Sequence, residues 1–141
     1  MKHLVLLLVV AATAIAAGAT NATASNEPVR LDFTKSISDP AGVWTGSVSG
    51  DVSGGLTTRL TELRIAGPIW HVRFDWIISA GPRSFVADLT GTLNNATGQV
   101  VMNGTVVEGW LLGAQVHEVG QLTDPDTLSF AGEIRIMRAT A

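Results

Sequence analysis

The chain contains no cysteine, so a thiol nucleophile, a redox-active cysteine pair, an iron–sulfur cluster and a thiolate zinc site are excluded from the start. Disulfides are excluded with them, which leaves packing and closed hydrogen bonding to hold the fold. Positive charge is also scarce, with 9 Lys and Arg against 12 Asp and Glu and no cluster of cations. Loss of Lys2 with a leader leaves 8 against 12, a net charge of −4. That balance argues against a basic nucleic-acid-binding surface, and no nucleic-acid partner is expected.

Several motifs are missing as well. No G-x-G-x-x-G or Gly-rich Lys-Ser/Thr string would seat a phosphate at a helix start, so no nucleotide cofactor is expected. Pro82-Arg83-Ser84 lacks the G-x-S-x-G context of a serine-hydrolase elbow. Asp124-Pro125-Asp126 lacks the remaining ligand spacing of a calcium loop and reads as a turn. Beyond the leader only His71 and His117 remain, without H-x-H or H-E-x-x-H spacing. Zinc would need the two to meet across a barrel with Glu108 or Glu133, which the spacing does not support, so no metal is expected.

One long apolar run is present, Leu4 to Ala17, behind Met1, Lys2 and His3. It falls short of the roughly 20 residues of a membrane-spanning helix and is followed by small residues suited to cleavage. Residues 1–19 therefore read as a signal peptide, with Ala22-Thr23-Ala24 as a second cleavage motif after Ala17-Gly18-Ala19. A secreted, extracellular protein with no stable membrane insertion after cleavage is the expectation. Residues 20–39, rich in Ala, Ser, Thr and Asn, read as a flexible segment in which only Val29 to Phe33 suits a short strand. Residues 40–141 are long enough for one domain with one core. The sequons at Asn21, Asn95 and Asn103 would carry glycans in a host that glycosylates secreted proteins.

From Val43 onward, short segments rich in β-branched and aromatic residues alternate with Gly, Pro, Asn and Asp, and no 3.6-residue stripe intervenes. Strands are predicted at Val43 to Ser49, Leu56 to Ile65, Ile69 to Ile78, Ser84 to Leu93, Gln99 to Glu108, Trp110 to Leu122 and Leu128 to Met137. Turn residues at Gly67-Pro68, Gly81-Pro82 and Asn94 to Gly98 make neighbours antiparallel. Gly46, Gly91, Gly104, Gly113 and Gly132 fall inside strand patterns and suit the bends of a closed sheet. The fold class is all-β, a small antiparallel β-barrel, with a two-sheet β-sandwich as the alternative.

Period-two alternation puts Trp70, Val72, Phe74, Trp76 and Ile78 on one face and His71, Arg73 and Asp75 on the other. Lining a pocket, Asp75 would orient His71 as an acid/base group and Arg73 would stabilise an anion; otherwise the face is a solvated one. Gln115 and His117 share a face, with Glu118 opposite, and form a second candidate cluster. Trp110, between Gly109 and Gly113, is the candidate pocket wall together with Trp76.

The Gly-punctuated strands at Ser84-Phe85-Val86-Ala87, Gly91-Thr92-Leu93-Asn94, Thr97-Gly98 and Asn103-Gly104-Thr105 resemble the small secreted barrels of the allene oxide cyclase and dirigent families. The resemblance spans roughly Trp44 to Met137 as architecture and contains no catalytic string of either family. It implies an eight-stranded barrel, in some members a homo-oligomer, whose lumen handles an apolar substrate without a dissociable cofactor. Three functions are carried forward. A secreted barrel binding a small apolar or amphipathic ligand through Trp76, Trp110, Gln115 and His117 comes first. A cofactor-independent cyclase or isomerase using His71, Arg73 and Asp75 is the second, and a structural or protein-binding module the third.

Overall fold

A computed structural model describes residues 27–138, so the signal peptide read at residues 1–19 lies outside the described residues. Eight antiparallel strands follow one another around a closed barrel. They are β1 (Val29–Asp39), β2 (Val43–Gly50), β3 (Gly54–Ala66), β4 (Ile69–Ser79), β5 (Phe85–Asn94), β6 (Gln99–Gly109), β7 (Gln115–Asp124) and β8 (Ser129–Met137). The barrel expected from alternation is therefore present, and the sandwich is not.

Two boundaries differ from the sequence reading by more than two residues. Residues 20–39, expected to be flexible, contain β1, which runs on past Phe33 to Asp39. It closes the barrel by pairing Val29 to Lys35 with Ile136 to Phe130 of β8 on one side and Leu31 to Asp39 with β2 on the other. A run with modest local strand preference is held by two ladders, a case of tertiary pairing deciding what propensity leaves open. At the other discrepancy, Trp110 to Ala114 is a turn and β7 begins at Gln115. Gly109, Leu111 and Gly113 all have positive φ there, a conformation that ends a strand.

The interior glycines explain how so short a sheet closes. A Cβ on Gly104 would lie 1.8 Å from the carbonyl oxygen of Asp88, and one on Gly132 would lie 2.1 Å from that of Val119. At these points the neighbouring backbones approach too closely for any side chain, and the strands coil into the barrel's curvature.

Alternation sorts the side chains. Inside are Val29, Leu31, Phe33, Val48, Trp76, Ile78, Phe85, Leu89, Val116, Ile134 and Ile136, all buried. Outside, Arg30, Asp32, Arg59, Arg73, Asp88, Glu133 and Arg135 stand on the strands' opposite faces. No helix among the described residues is long and apolar enough to cross a membrane.

Candidate functional site

The two ends of the barrel are built differently. At the end carrying the β2–β3, β4–β5 and β6–β7 connections, Trp110 and Leu111 fold back against the core, Trp110 lying 6.3 Å from the ring of Phe85. Arg83 covers the outer side of that indole at 5.5 Å. Beneath this cap the lumen is filled by side chains.

At the opposite end the lumen is hollow. A cavity of about 330 Å³ opens between the β1–β2 turn at Pro40 to Gly42, the β3–β4 hairpin near Leu63 and Trp70, the β5–β6 turn at Asn95 and Gly98, and the β7–β8 connection at Leu122 and Leu128. Its walls are mostly apolar, from Trp44, Leu60, Val72, Phe74, Leu93, Val100, Met102 and Phe130. Inward alternation along β4, β5 and β6 supplies Trp70, Val72, Phe74, Leu93, Val100 and Met102 of that wall.

Two ionisable groups interrupt the apolar lining, Lys35 from β1 and Glu118 from β7. Both are inward members of their strands, Lys35 following Val29, Leu31 and Phe33, and Glu118 between Val116 and Gly120. Lys35 is 6% exposed and Glu118 1%. The Lys35 Nζ donates a hydrogen bond to Thr58 Oγ1 at 3.2 Å, and Thr58 is itself fully buried.

Aromatic rings surround the ammonium. Its Nζ lies 4.7 Å from the ring centroid of Trp76, 5.0 Å from Phe74, 5.6 Å from Trp44, 5.8 Å from Phe33 and 6.0 Å from Phe130. Edge-to-face contacts fix two of these pairs, Phe33 with Trp76 at 5.0 Å and Trp44 with Phe74 at 5.4 Å. The Trp44 Nε1 is further held by donation to the Leu128 carbonyl at 2.9 Å. Ring quadrupoles favour a cation in such a cage, each by about 0.5–2 kcal/mol.

Burial opposes both charges. It pushes the Lys35 amine down to about 8 against the opposing pull of Glu118, and pushes the Glu118 carboxyl up to about 7 against the pull of Lys35. Two groups that are ordinarily far apart on the pH scale are thus brought toward neutrality in one lumen, with no direct hydrogen bond or ion pair joining them. The Glu118 Oε1 and the Trp76 Nε1 are buried without a hydrogen-bond partner. Groups of this kind ordinarily find one.

The residues nominated from sequence lie elsewhere, apart from Trp76. His71, Arg73 and Asp75 are on the outer face, so they do not line the lumen. Arg73 chelates Asp88 through Nε at 2.9 Å and Nη2 at 2.6 Å, and reaches Glu62 through Nη1 at 3.0 Å. Hydrogen bonding from Arg73 holds the Asp88 carboxyl below its ordinary range. The partner of Arg73 is thus Asp88 on β5, and Asp75 stands opposite Arg59 and the same Asp88. His71 and Arg73 border a shallow outer depression with Glu62, Arg64 and Thr92.

Gln115 is exposed at the start of β7, and His117 meets Asn103 through Nδ1 at 2.7 Å on the outer surface. His71 and His117 both point away from the lumen, so they do not meet across it. Trp110 belongs to the capped end, not to the cavity. The pairing that alternation did separate correctly, His117 on one face of β7 and Glu118 on the other, puts Glu118 inside.

Lys35 carried a signal in the sequence. After Lys2 it is the chain's only lysine, and it continues the alternation of Val29, Leu31 and Phe33. Reading β1 through to Asp39 would have placed it in the lumen.

No protein-family model matches the chain, and no curated protein or solved structure matches it. What stands is the class defined by the fold, a closed eight-stranded antiparallel β-barrel with one capped end and one hollow end.

Proposed function

We propose that the hollow end binds a small, mainly apolar molecule bearing one hydrogen-bonding oxygen, which enters polar end first. The observation that carries this reading is an apolar, open cavity whose depth holds Lys35 and Glu118, with Glu118 Oε1 unpartnered. Its volume of about 330 Å³ sits at the small end of the range for ligand sites. Apolar walls supply affinity in proportion to buried area, and the few polar groups orient the guest. The secreted location expected from residues 1–19 fits a carrier or processing role outside the cell.

A cofactor-independent cyclase or isomerase is the second reading, favoured by one observation. Lys35 and Glu118 are a donor and an acceptor brought toward neutrality by burial, the property required of acid–base groups. The likeness to allene oxide cyclases and dirigent proteins adds the analogy of an apolar lumen and rests on architecture alone. On either reading the residues proposed for the site are Lys35, Glu118, Thr58, Trp44, Phe74 and Trp76, in place of the outer-face set.

The test is a titration of the leaderless protein with 1-octanol, followed by the fluorescence of Trp44 and Trp70 in the cavity wall. A saturable change is expected. Val72→Phe and Val100→Phe, each adding bulk to the cavity, should weaken binding by at least about tenfold while circular dichroism stays unchanged. No saturable response, or equal binding by both folded variants, overturns the assignment.

A further inference from the structure

The lumen contains an amine where a purely apolar binding site needs none. Lys35 is buried among five aromatic rings, donates to the Thr58 hydroxyl, and shares the cavity lining with the Glu118 carboxyl. Desolvating a lysine in an apolar pocket is the usual way to make its amine a nucleophile at neutral pH. We infer that Lys35 is a carbonyl-capturing residue, forming an imine with a small apolar aldehyde seated in the cavity, with Glu118 as its proton-transfer partner and counter-ion. This rests on the cavity being a binding site, and adds the chemical class of the guest and the covalent step.

The step balances with the groups present. The neutral Lys35 Nζ attacks the carbonyl carbon, so a C–N bond forms and the C=O π pair moves to oxygen. That oxygen takes a proton from the Glu118 carboxyl. The carbinolamine nitrogen returns a proton to the Glu118 carboxylate, which passes it to the departing hydroxyl as the C–O bond breaks. The products are a protonated imine on Lys35, a Glu118 carboxylate and one water, with no oxidant or reductant consumed.

The surroundings suit each stage. A pKa near 8 leaves roughly a tenth of the amines neutral at pH 7, far more than an exposed lysine provides. A carboxyl near 7 exists in both protonation states at that pH. The iminium would inherit the cation's place among Trp76, Phe74, Trp44, Phe33 and Phe130, so the aromatic cage serves reactant and product alike. The alkyl chain would lie along Val72, Val100 and Leu93 toward the mouth.

The experiment treats the leaderless protein with octanal and sodium cyanoborohydride, then measures intact mass and maps peptides. Lys35 is the only lysine beyond the leader, so the chain's N-terminal amine is the one competing amine. The expected result is a single adduct, octanal plus two hydrogens less one water, on Lys35. It should be absent in Lys35→Met and suppressed in the cavity-filling Val100→Phe, which retains the lysine. Glu118→Gln should slow adduct formation by about 100-fold at octanal concentrations that saturate that variant. The wild-type rate should pass through a maximum between about pH 7 and 8, falling below it as Lys35 is protonated and above it as Glu118 loses the proton it must donate.

If 1-octanol binds but the adduct appears only on the N-terminal amine, or not at all, the imine inference is overturned and the binding reading survives. If neither octanol nor octanal engages the cavity, both fail. An undiminished rate in a folded Glu118→Gln removes Glu118 from the proposed chemistry.

Discussion

The two halves of this barrel use the same eight strands and the same inward–outward alternation, yet one half is a core and the other a chamber. In the capped half, Leu31, Ile78, Phe85 and Ile136 meet in the middle and Trp110 seals the end. In the open half the inward residues are no smaller, but Trp44, Phe74 and Phe130 turn toward Lys35 and leave the space above it empty. A buried charge is costly unless it is paired and surrounded, so the lining organises around the charge and not around the void. If the proposed function holds, stability resides in the filled half and ligand chemistry in the hollow one, and substitutions should separate them.

The sharpest separation is between a leucine at the mouth and a phenylalanine in the core. Phe85 is 2% exposed, and Phe85→Ala should cost about 3–5 kcal/mol through lost burial and the cavity left behind. Leu63 is 45% exposed at the mouth, and Leu63→Ala should cost under about 1 kcal/mol. Urea unfolding of the two variants, with octanol affinity measured alongside, checks the division. A mouth substitution as destabilising as the core one would mean that the chamber is structural.

A smaller effect, of opposite sign, is expected at the boundary between the halves. Replacing both charges, as in Lys35→Met with Glu118→Leu, should leave stability unchanged or raise it by up to about 4 kcal/mol, because two desolvated charges give way to apolar contacts. Either substitution alone leaves its partner buried and uncompensated and should be destabilising. Denaturant unfolding of the three variants reads this directly, and a double variant clearly less stable than wild type would show the pair to be a structural necessity.

The halves also differed in how legible they were. Alternation in β4, β5 and β8 identified the apolar inward faces, and the turn residues set the antiparallel order, because burial on one face imprints a period of two. The site was harder to read, because parity groups residues by face without saying which face is inward when both are mixed. On β7, Gln115 and His117 drew attention as polar neighbours, while Glu118 shared its face with the apolar Val116 and Leu122. On β1, Lys35 followed by Ser36 and Ser38 resembled the polar tether before it, and only ladders to β2 and β8 make it a strand. Trp110 fits a strand pattern in sequence, and the positive φ of Gly109, Leu111 and Gly113 that makes it a turn arises only in the folded backbone.

The most gradual expected effect is the pH profile of the boundary pair, and its sign is determined by the directions of the two shifts. Glu118 holds its proton more tightly folded than unfolded, so between about pH 4.5 and about 7 the native state binds more protons and stability falls as pH rises. Lys35 holds its proton less tightly folded, so between about pH 8 and 10.5 the unfolded state binds more and stability rises with pH. Together they make a minimum between about pH 7 and 8, with flanks no steeper than about 1.4 kcal/mol per pH unit. The comparison that isolates it is wild type against Lys35→Met with Glu118→Leu, whose difference in unfolding free energy should be greatest in that interval and shrink on both sides. A difference independent of pH would mean that the pair keeps its ordinary protonation in the folded protein, and the neutral amine needed for carbonyl capture would be lost with it.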